Sequence, residues 1–227
     1  VYKRQPGDSG TFNLTVTNRT GKLRQFNIAS EDAVGTSNPD KTILLLGDDR
    51  GPYSIRDYIS VEHESFMLDH NQRAIVPVTV KVPEDAEPGG LYGSVLVDTV
   101  AVEAILSNDE NTIPRSAVVS RIGTLLFVSV PGENLEDGSL TDFSTIPQQR
   151  LFSTGPILFG VVFENKGSVH LTPSAELRIY NMLNEEVGFV EIDPWFVLPG
   201  TTRTRDIAYS ILYHGYELYL VCLLYTS

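Results

Sequence analysis

The chain has 227 residues, 41% of them hydrophobic, and a formal net charge of −12. So acidic a chain is repelled by nucleic acid and by anionic lipid, and no Lys/Arg cluster offsets the repulsion, which excludes nucleic-acid binding. No apolar run approaches the roughly 20 residues of a membrane-spanning helix, and the single cysteine, Cys222, rules out a disulfide scaffold or a thiolate metal site.

The length suits two domains of about 100–150 residues. Period-2 alternation dominates, and helical periodicity is nearly absent. In Gly10–Asn18, Phe12, Leu14 and Val16 share one face of a half-buried strand. A turn over 18–22 leads into Arg24–Ala29, where Phe26 and Ile28 alternate, so the two segments predict a hairpin. Residues 30–58 are less regular, with turns at Gly35, Asn38, Pro39, Gly47, Gly51 and Pro52 and a short buried strand at Ile43–Leu46. Tyr58–Val61 and Phe66–Leu68 are further short strands. Val76, Val78, Val80 and Val82 line one face of the clearest strand. Pro77 within it lacks an N–H donor, which predicts an edge strand or a strand start.

Pro83–Gly90 is a turn, and Gly89, Gly90 and Gly93 read as positions that need positive φ. Leu91–Val100 is extended, Ser107–Asn111 is a polar loop, and Ala117–Val130 closes the first domain. Pro131–Gly138 is the linker. Strands then follow at Ser139–Ser144, Pro156–Glu164, Ala175–Tyr180, Glu186–Ile192, Thr202–Ala208 and Tyr216–Val221. Short strands at this spacing predict an all-β fold of two tandem immunoglobulin-like β-sandwich domains, residues 6–131 and 139–221. The halves also rhyme. Leu14–Asn18 and Val161–Asn165 each end a strand in Asn, followed by a turn containing Gly21 or Gly167.

The two ends have a separate origin. Val1–Gln5 and Cys222–Ser227 back-translate to one short DNA element read inward from both sides, which resembles the transposase mosaic end of sequencing libraries. Residues 1–5 and 222–227 are therefore expected to be adapter-derived, Cys222 to be non-native, and the second domain to be incomplete.

Catalytic motifs are weak throughout. Gly7-Asp8-Ser9-Gly10 matches a protease nucleophile motif, but no His or Asp partner precedes it in the required order, and it reads as a turn entering a strand. His63, His70, His170 and His214 lack metal-ligand spacing. Gly89-Gly90-x-x-Gly93 lies between strands, so it is not a phosphate loop. Asp48-Asp49, Asp109-Glu110 and Glu133–Asp137 lack the alternating ligand order of a calcium loop. Asn13-Leu14-Thr15 and Asn18-Arg19-Thr20 are formal glycosylation triplets of little weight. No catalytic residue, metal site or cofactor is expected.

One segment points to recognition. Leu46–Tyr58 places two tyrosines and two arginines among acids in a long loop, where sandwiches carry binding residues. Asp48, Asp49, Arg50, Tyr53 and Tyr58 are the candidate ligand-binding residues. Capping of the core by Tyr53 or Tyr58 is the competing role. Trp195, beside Phe196 and Val197, is expected to be buried.

The Pro6-Gly7 opening, the strand ending Val16-Thr17-Asn18, Phe66-Met67-Leu68, the Val76–Val82 strand, and above all Pro83-Glu84-Asp85-Ala86-Glu87-Pro88-Gly89-Gly90-Leu91-Tyr92-Gly93 carry a family likeness. The stretch resembles the immunoglobulin-like peptidoglycan-binding domain of WxL-interacting surface proteins. Glu164–Leu171 and Leu198-Pro199-Gly200 resemble the second domain of such proteins more loosely. The resemblance implies an exported, cell-surface, non-enzymatic protein whose partner is a cell-wall polymer or a surface protein, with any signal peptide or anchor outside this chain. Periplasmic pilus chaperones share the two-sandwich outline, though the paired basic residues expected in their cleft are not evident. The expected function is thus a non-catalytic binding or structural module. The alternatives are a periplasmic chaperone-like protein acting by strand donation, or accessory domains of a larger enzyme.

Overall fold

The computed structural model describes residues 2–101, 120–149, 152, 155–181, 183–210 and 219–226. The loop Ser107–Asn111 with its acidic pair Asp109-Glu110, the start of the Ala117–Val130 segment, and His214 lie outside these residues. The fold is all-β, two tandem immunoglobulin-like β-sandwich units. One unit comprises Val1–Val34 with Leu45–Glu133, and the other Gly35–Leu44 with Asn134–Ser227. The chain therefore leaves the first unit for ten residues and returns.

The first unit holds β1 (Tyr2–Lys3), β2 (Ser9–Thr17), most of β3 (Arg24–Asn38), β5 (Ile59–Val61), β6 (Ser65–Leu68), β7 (Arg73–Lys81), β8 (Gly89–Ala101) and β9 (Ser120–Val130). β4 (Lys41–Leu45) pairs with the far part of β3. One sheet runs β1-β9-β8-β3-β4, with β6 also on β3, and the other runs β2-β7-β5. Val76, Val78, Val80 and Val82 of the second sheet pack against Ile28, Val95, Leu126, Val128 and Val130 of the first. Each such side chain is nearly sealed from water, which stabilises the fold by roughly 1.5–3 kcal/mol per residue.

Three expectations change. β2 does not form a hairpin with β3. It pairs with β7, from Ser9 opposite Lys81 to Thr17 opposite Arg73. The residues between β2 and β3 cross from one sheet to the other, which lets Val16 and Phe26 meet in one core cluster. β3 also continues far past Ala29, because Ser30, Glu31 and Asp32 keep their pairing with Val95, Ser94 and Gly93 of β8. Alternation fails there because an acid, Asp32, is fully buried.

Pro77 is the third. It sits in the central strand of its sheet, not at an edge. Its carbonyl accepts from Glu62 N, just past the last β5 pair at Val61 and Val78. A residue's N–H and C=O share one side of a strand, so the missing donor faces Glu62 at the end of β5, and no bond to β2 is lost.

The glycines of the 89–93 stretch also act differently from expectation. Only Gly89 has positive φ, at 153°. Gly90 and Gly93 already belong to β8 and are required for space. A Cβ on Gly90 would overlap the Tyr92 ring, and one on Gly93 would stand 2.4 Å from Ile55 Cγ2.

The second unit holds β10 (Gly138–Ile146), β11 (Ile157–Asn165), β12 (Ser174–Asn181), β13 (Glu186–Ile192), β14 (Thr201–Tyr209) and β15 (Tyr219–Thr226) in two antiparallel sheets, β10-β11-β14 and β13-β12-β15. Ile157, Phe159, Val161 and Phe163 of β11 face Ala175, Leu177 and Ile179 of β12 across the core. Trp195 is buried there, edge-on to Phe163 at 6.4 Å between ring centres.

Candidate functional site

β9 is the element whose surroundings stand out. It pairs with β8 without a bulge, from Val130 opposite Gly89 to Ser120 opposite Thr99. On its other side β1 covers only Val128 and Ser129. Among the described residues no strand lies beside Ser120–Phe127. Arg4 N donates to Ser129 O, so the odd-numbered residues of β9 turn their backbone groups outward. Arg121, Gly123 and Leu125 therefore present N–H and C=O along an edge that no described strand covers.

This stretch exposes large apolar side chains. Ile122 continues the core-facing row of Leu126, Val128 and Val130, yet is 74% exposed, and Leu125 on the other face is 41% exposed. Sheet edges are ordinarily blunted by Lys, Pro, bulges or free charge. Residues 120–127 contain neither Lys nor Pro, and their one charged residue is Arg121. Its guanidinium is bound on both Asp98 oxygens at 2.7 and 2.8 Å and on Glu31 at 2.9 Å. That charge is thus neutralised from β8 and β3, and the edge keeps its pairing capacity. Where β9 faces β2, a small cleft with room for about one or two waters is lined by Phe12, Val80, Leu126 and Val128, with Arg4 against Gly10.

The 46–58 loop is organised from beneath by Asp32, which sequence reading passed over. Its Oδ1 accepts from Ile55 N and Arg56 N, both at 3.0 Å, and its Oδ2 from Gly51 N at 3.3 Å. Burial alone raises the Asp32 pKa. Hydrogen bonds from the Ser54 side chain and from the Arg56, Ile55 and Gly51 backbones outweigh it, so the net shift is downward. The cue in the sequence is slight: an acid where strand alternation calls for an apolar residue.

Around this anchor the five candidate residues take different positions. Arg50 forms a two-pronged ion pair with Asp57, and Arg56 donates to Gly47 O at 2.9 Å. Tyr53 lies edge-on to Tyr92 at 5.8 Å, and its carbonyl accepts from Tyr92 N. Tyr58 packs against the core that contains Ile55. Asp48 and Asp49 are exposed, Asp48 within 3.5 Å of Arg56. Among the described residues no group of three His, Cys, Asp or Glu side chains is placed to hold a metal, and no helix is long and apolar enough to cross a membrane.

No family model matches the chain, and no curated protein matches it. Solved structures do. The class 5 fimbriae chaperone CfaA is 8% identical over 99% of this chain and 95% of its own, with a TM-score of 0.46. The CsuC–CsuE chaperone–tip subunit pre-assembly complex of Acinetobacter baumannii is 9% identical over 99% and 94%, with a TM-score of 0.43. The YadV chaperone is 8% identical over 99% and 94%, also with a TM-score of 0.43. These findings correct the family resemblance drawn from the Pro83–Gly93 stretch. No family model supports that resemblance and the neighbours named here are fimbrial chaperones, so the cell-surface placement and the cell-wall or peptidoglycan partner that came with it are withdrawn. That stretch owes its composition to the entry into β8, where Gly90 and Gly93 make room for Tyr92 and Ile55.

Proposed function

We propose that this chain is an exported, non-catalytic, chaperone-like protein that holds a partner by β-strand addition along β9. One observation carries this: the edge from Ser120 to Phe127, without a neighbouring strand among the described residues, with exposed Ile122 and Leu125 and with Arg121 paired in place. Strand addition takes its affinity from main-chain hydrogen bonds and its specificity from alternate side chains, and β9 offers both. The partner is an extended strand of another protein. Two of the solved structures hold a chaperone together with a tip subunit or a pilin. The 46–58 loop stands beside this as a proposed recognition surface, its exposed part formed by Asp48, Asp49, Arg50, Pro52 and Asp57.

The test is amide hydrogen exchange on the full chain with a synthetic peptide of alternating Thr and Val. Protection is expected at Arg121, Gly123 and Leu125, and is expected to vanish in Ile122→Lys/Leu125→Lys. No protection on β9, or equal protection in the double variant, overturns the proposal.

A further inference from the structure

A second sheet edge differs from β9 in kind. β14 is the outer strand of β10-β11-β14. Thr202 N donates to Ser37 Oγ at 3.2 Å, so the even-numbered residues turn their backbone away from β11. Thr204, Asp206 and Ala208 therefore direct their backbone groups outward. The odd-numbered side chains form the core-facing row, as buried Ile207 shows. Arg203 and Arg205 occupy that row.

Both guanidinium groups are held without an acid. Arg203 lies 4.3 Å from the Phe196 ring centre and donates to Phe196 O. Arg205 lies 5.3 Å from the Trp195 ring centre and donates to Asp193 O at 2.7 Å. Neither has a carboxylate partner among the described residues, in a chain with 29 acids. Burial, and next the charge of Arg205, lower the Arg203 pKa. The pair is thus partly desolvated and mutually repulsive, conditions that a carboxylate would relieve. The buried Trp195 Nε1 is a further donor with no partner among the described residues.

We propose that β14 binds an extended acidic segment of another protein, with carboxylates at alternate positions seated on Arg203 and Arg205. Spacing selects this partner. Same-face residues on any strand repeat at about 6.6–6.8 Å, so carboxylates at i and i+2 of an added strand match arginines at i and i+2 of β14. Directly opposed side chains on paired strands stand about 4.5–5.5 Å apart at Cβ, within reach of a guanidinium–carboxylate pair. Inward charge also repels generic apolar strands, so the same two residues reject the wrong partner and accept the acidic one. None of this depends on β9.

The lone tryptophan supplies the readout, because Arg205 lies against its ring. The full chain is titrated with a synthetic Thr-Glu-Thr-Glu-Thr peptide and with its Thr-Gln-Thr-Gln-Thr counterpart. A saturable change in Trp195 emission is expected with the Glu peptide alone, weakened by added salt. In Arg203→Gln/Arg205→Gln, checked by far-UV circular dichroism, affinity is expected to fall at least about tenfold. The Glu-against-Gln comparison on the parent chain stands even if that variant fails to fold. No saturable change, equal response to the Gln peptide, unchanged affinity in a folded double variant, or equally tight binding of free glutamate each overturns the proposal.

Discussion

Asn18 and Asn165 make the same hydrogen bonds at the same place in their two units. Each ends a strand, is fully buried, and follows an apolar face of alternating residues. Asn18 Nδ2 donates to Lys22 O at 2.7 Å and Leu68 O at 2.8 Å, while its Oδ1 accepts from Thr20 N at 2.9 Å. Asn165 Nδ2 donates to Val169 O at 2.9 Å and Val197 O at 2.8 Å, while its Oδ1 accepts from Gly167 N at 2.8 Å. In both, one amide closes the turn that follows and ties it to a distant strand or loop. The glycosylation triplet at Asn18 is thereby excluded in the folded state, since both Nδ2 donors are occupied.

Asn165→Ala strands two buried carbonyls and a turn N–H, and Asn18→Ala strands the buried Leu68 carbonyl and the Thr20 N–H. Each is expected to cost its own unit about 2–4 kcal/mol. Trp195 belongs to the second unit's core, so its fluorescence in urea should shift with Asn165→Ala and stay in place with Asn18→Ala. A Trp195 transition that moves with both would show that the units unfold together.

Asp32 makes acid stability predictable in sign. Its folded pKa lies below the ordinary 3.8. The ionised carboxylate therefore contributes stability above pH 3.8, and that contribution is lost as pH falls through the lower folded value. Asp32→Asn keeps one acceptor oxygen but sets an NH₂ against a backbone donor. It should lower stability at neutral pH by about 1–3 kcal/mol and flatten the acid limb of the stability curve. An unchanged acid limb would remove Asp32 from this role.

Gly93→Ala should be destabilising by about 1–3 kcal/mol through overpacking. The added methyl would meet Ile55 Cγ2 at 2.4 Å and the Glu31 backbone oxygen at 2.9 Å. Ile55 is fully buried and the oxygen belongs to the sheet, so neither yields easily. Thermal unfolding of the variant checks this, and a neutral result would mean that β8 can shift away from β3.

In the 46–58 loop, support of the fold and the proposed recognition fall on different residues. Tyr53→Ala should cost about 1–2 kcal/mol, since it removes the edge-on contact with Tyr92. Arg50→Ala should cost under about 1 kcal/mol, because its pair with Asp57 is exposed. Asp48→Ala and Asp49→Ala should stay within about 0.5 kcal/mol of the parent. Any loss of partner binding in the two Asp variants would then report contact and not folding.

Sequence by itself determined the strand class and much of the strand set. Val76–Val82 and Ile157–Phe163 show period-2 rows because each has one face in a core and residue identity follows burial directly. The Asn18 and Asn165 rhyme was legible for the same reason, a local device written within four residues. Which strand lies beside which was decided only in three dimensions. β2 pairs with β7 across more than fifty residues, and Pro77 is tolerated in a central strand because its missing N–H faces the end of β5 and not β2. Asp32 reads as surface until the loop over it folds back and turns three backbone N–H groups toward it. The β9 edge is the clearest case. The Ile122–Val130 row carries the pattern of an ordinary core strand, and only the tertiary neighbours decide that Leu126, Val128 and Val130 are buried while Ile122 is exposed.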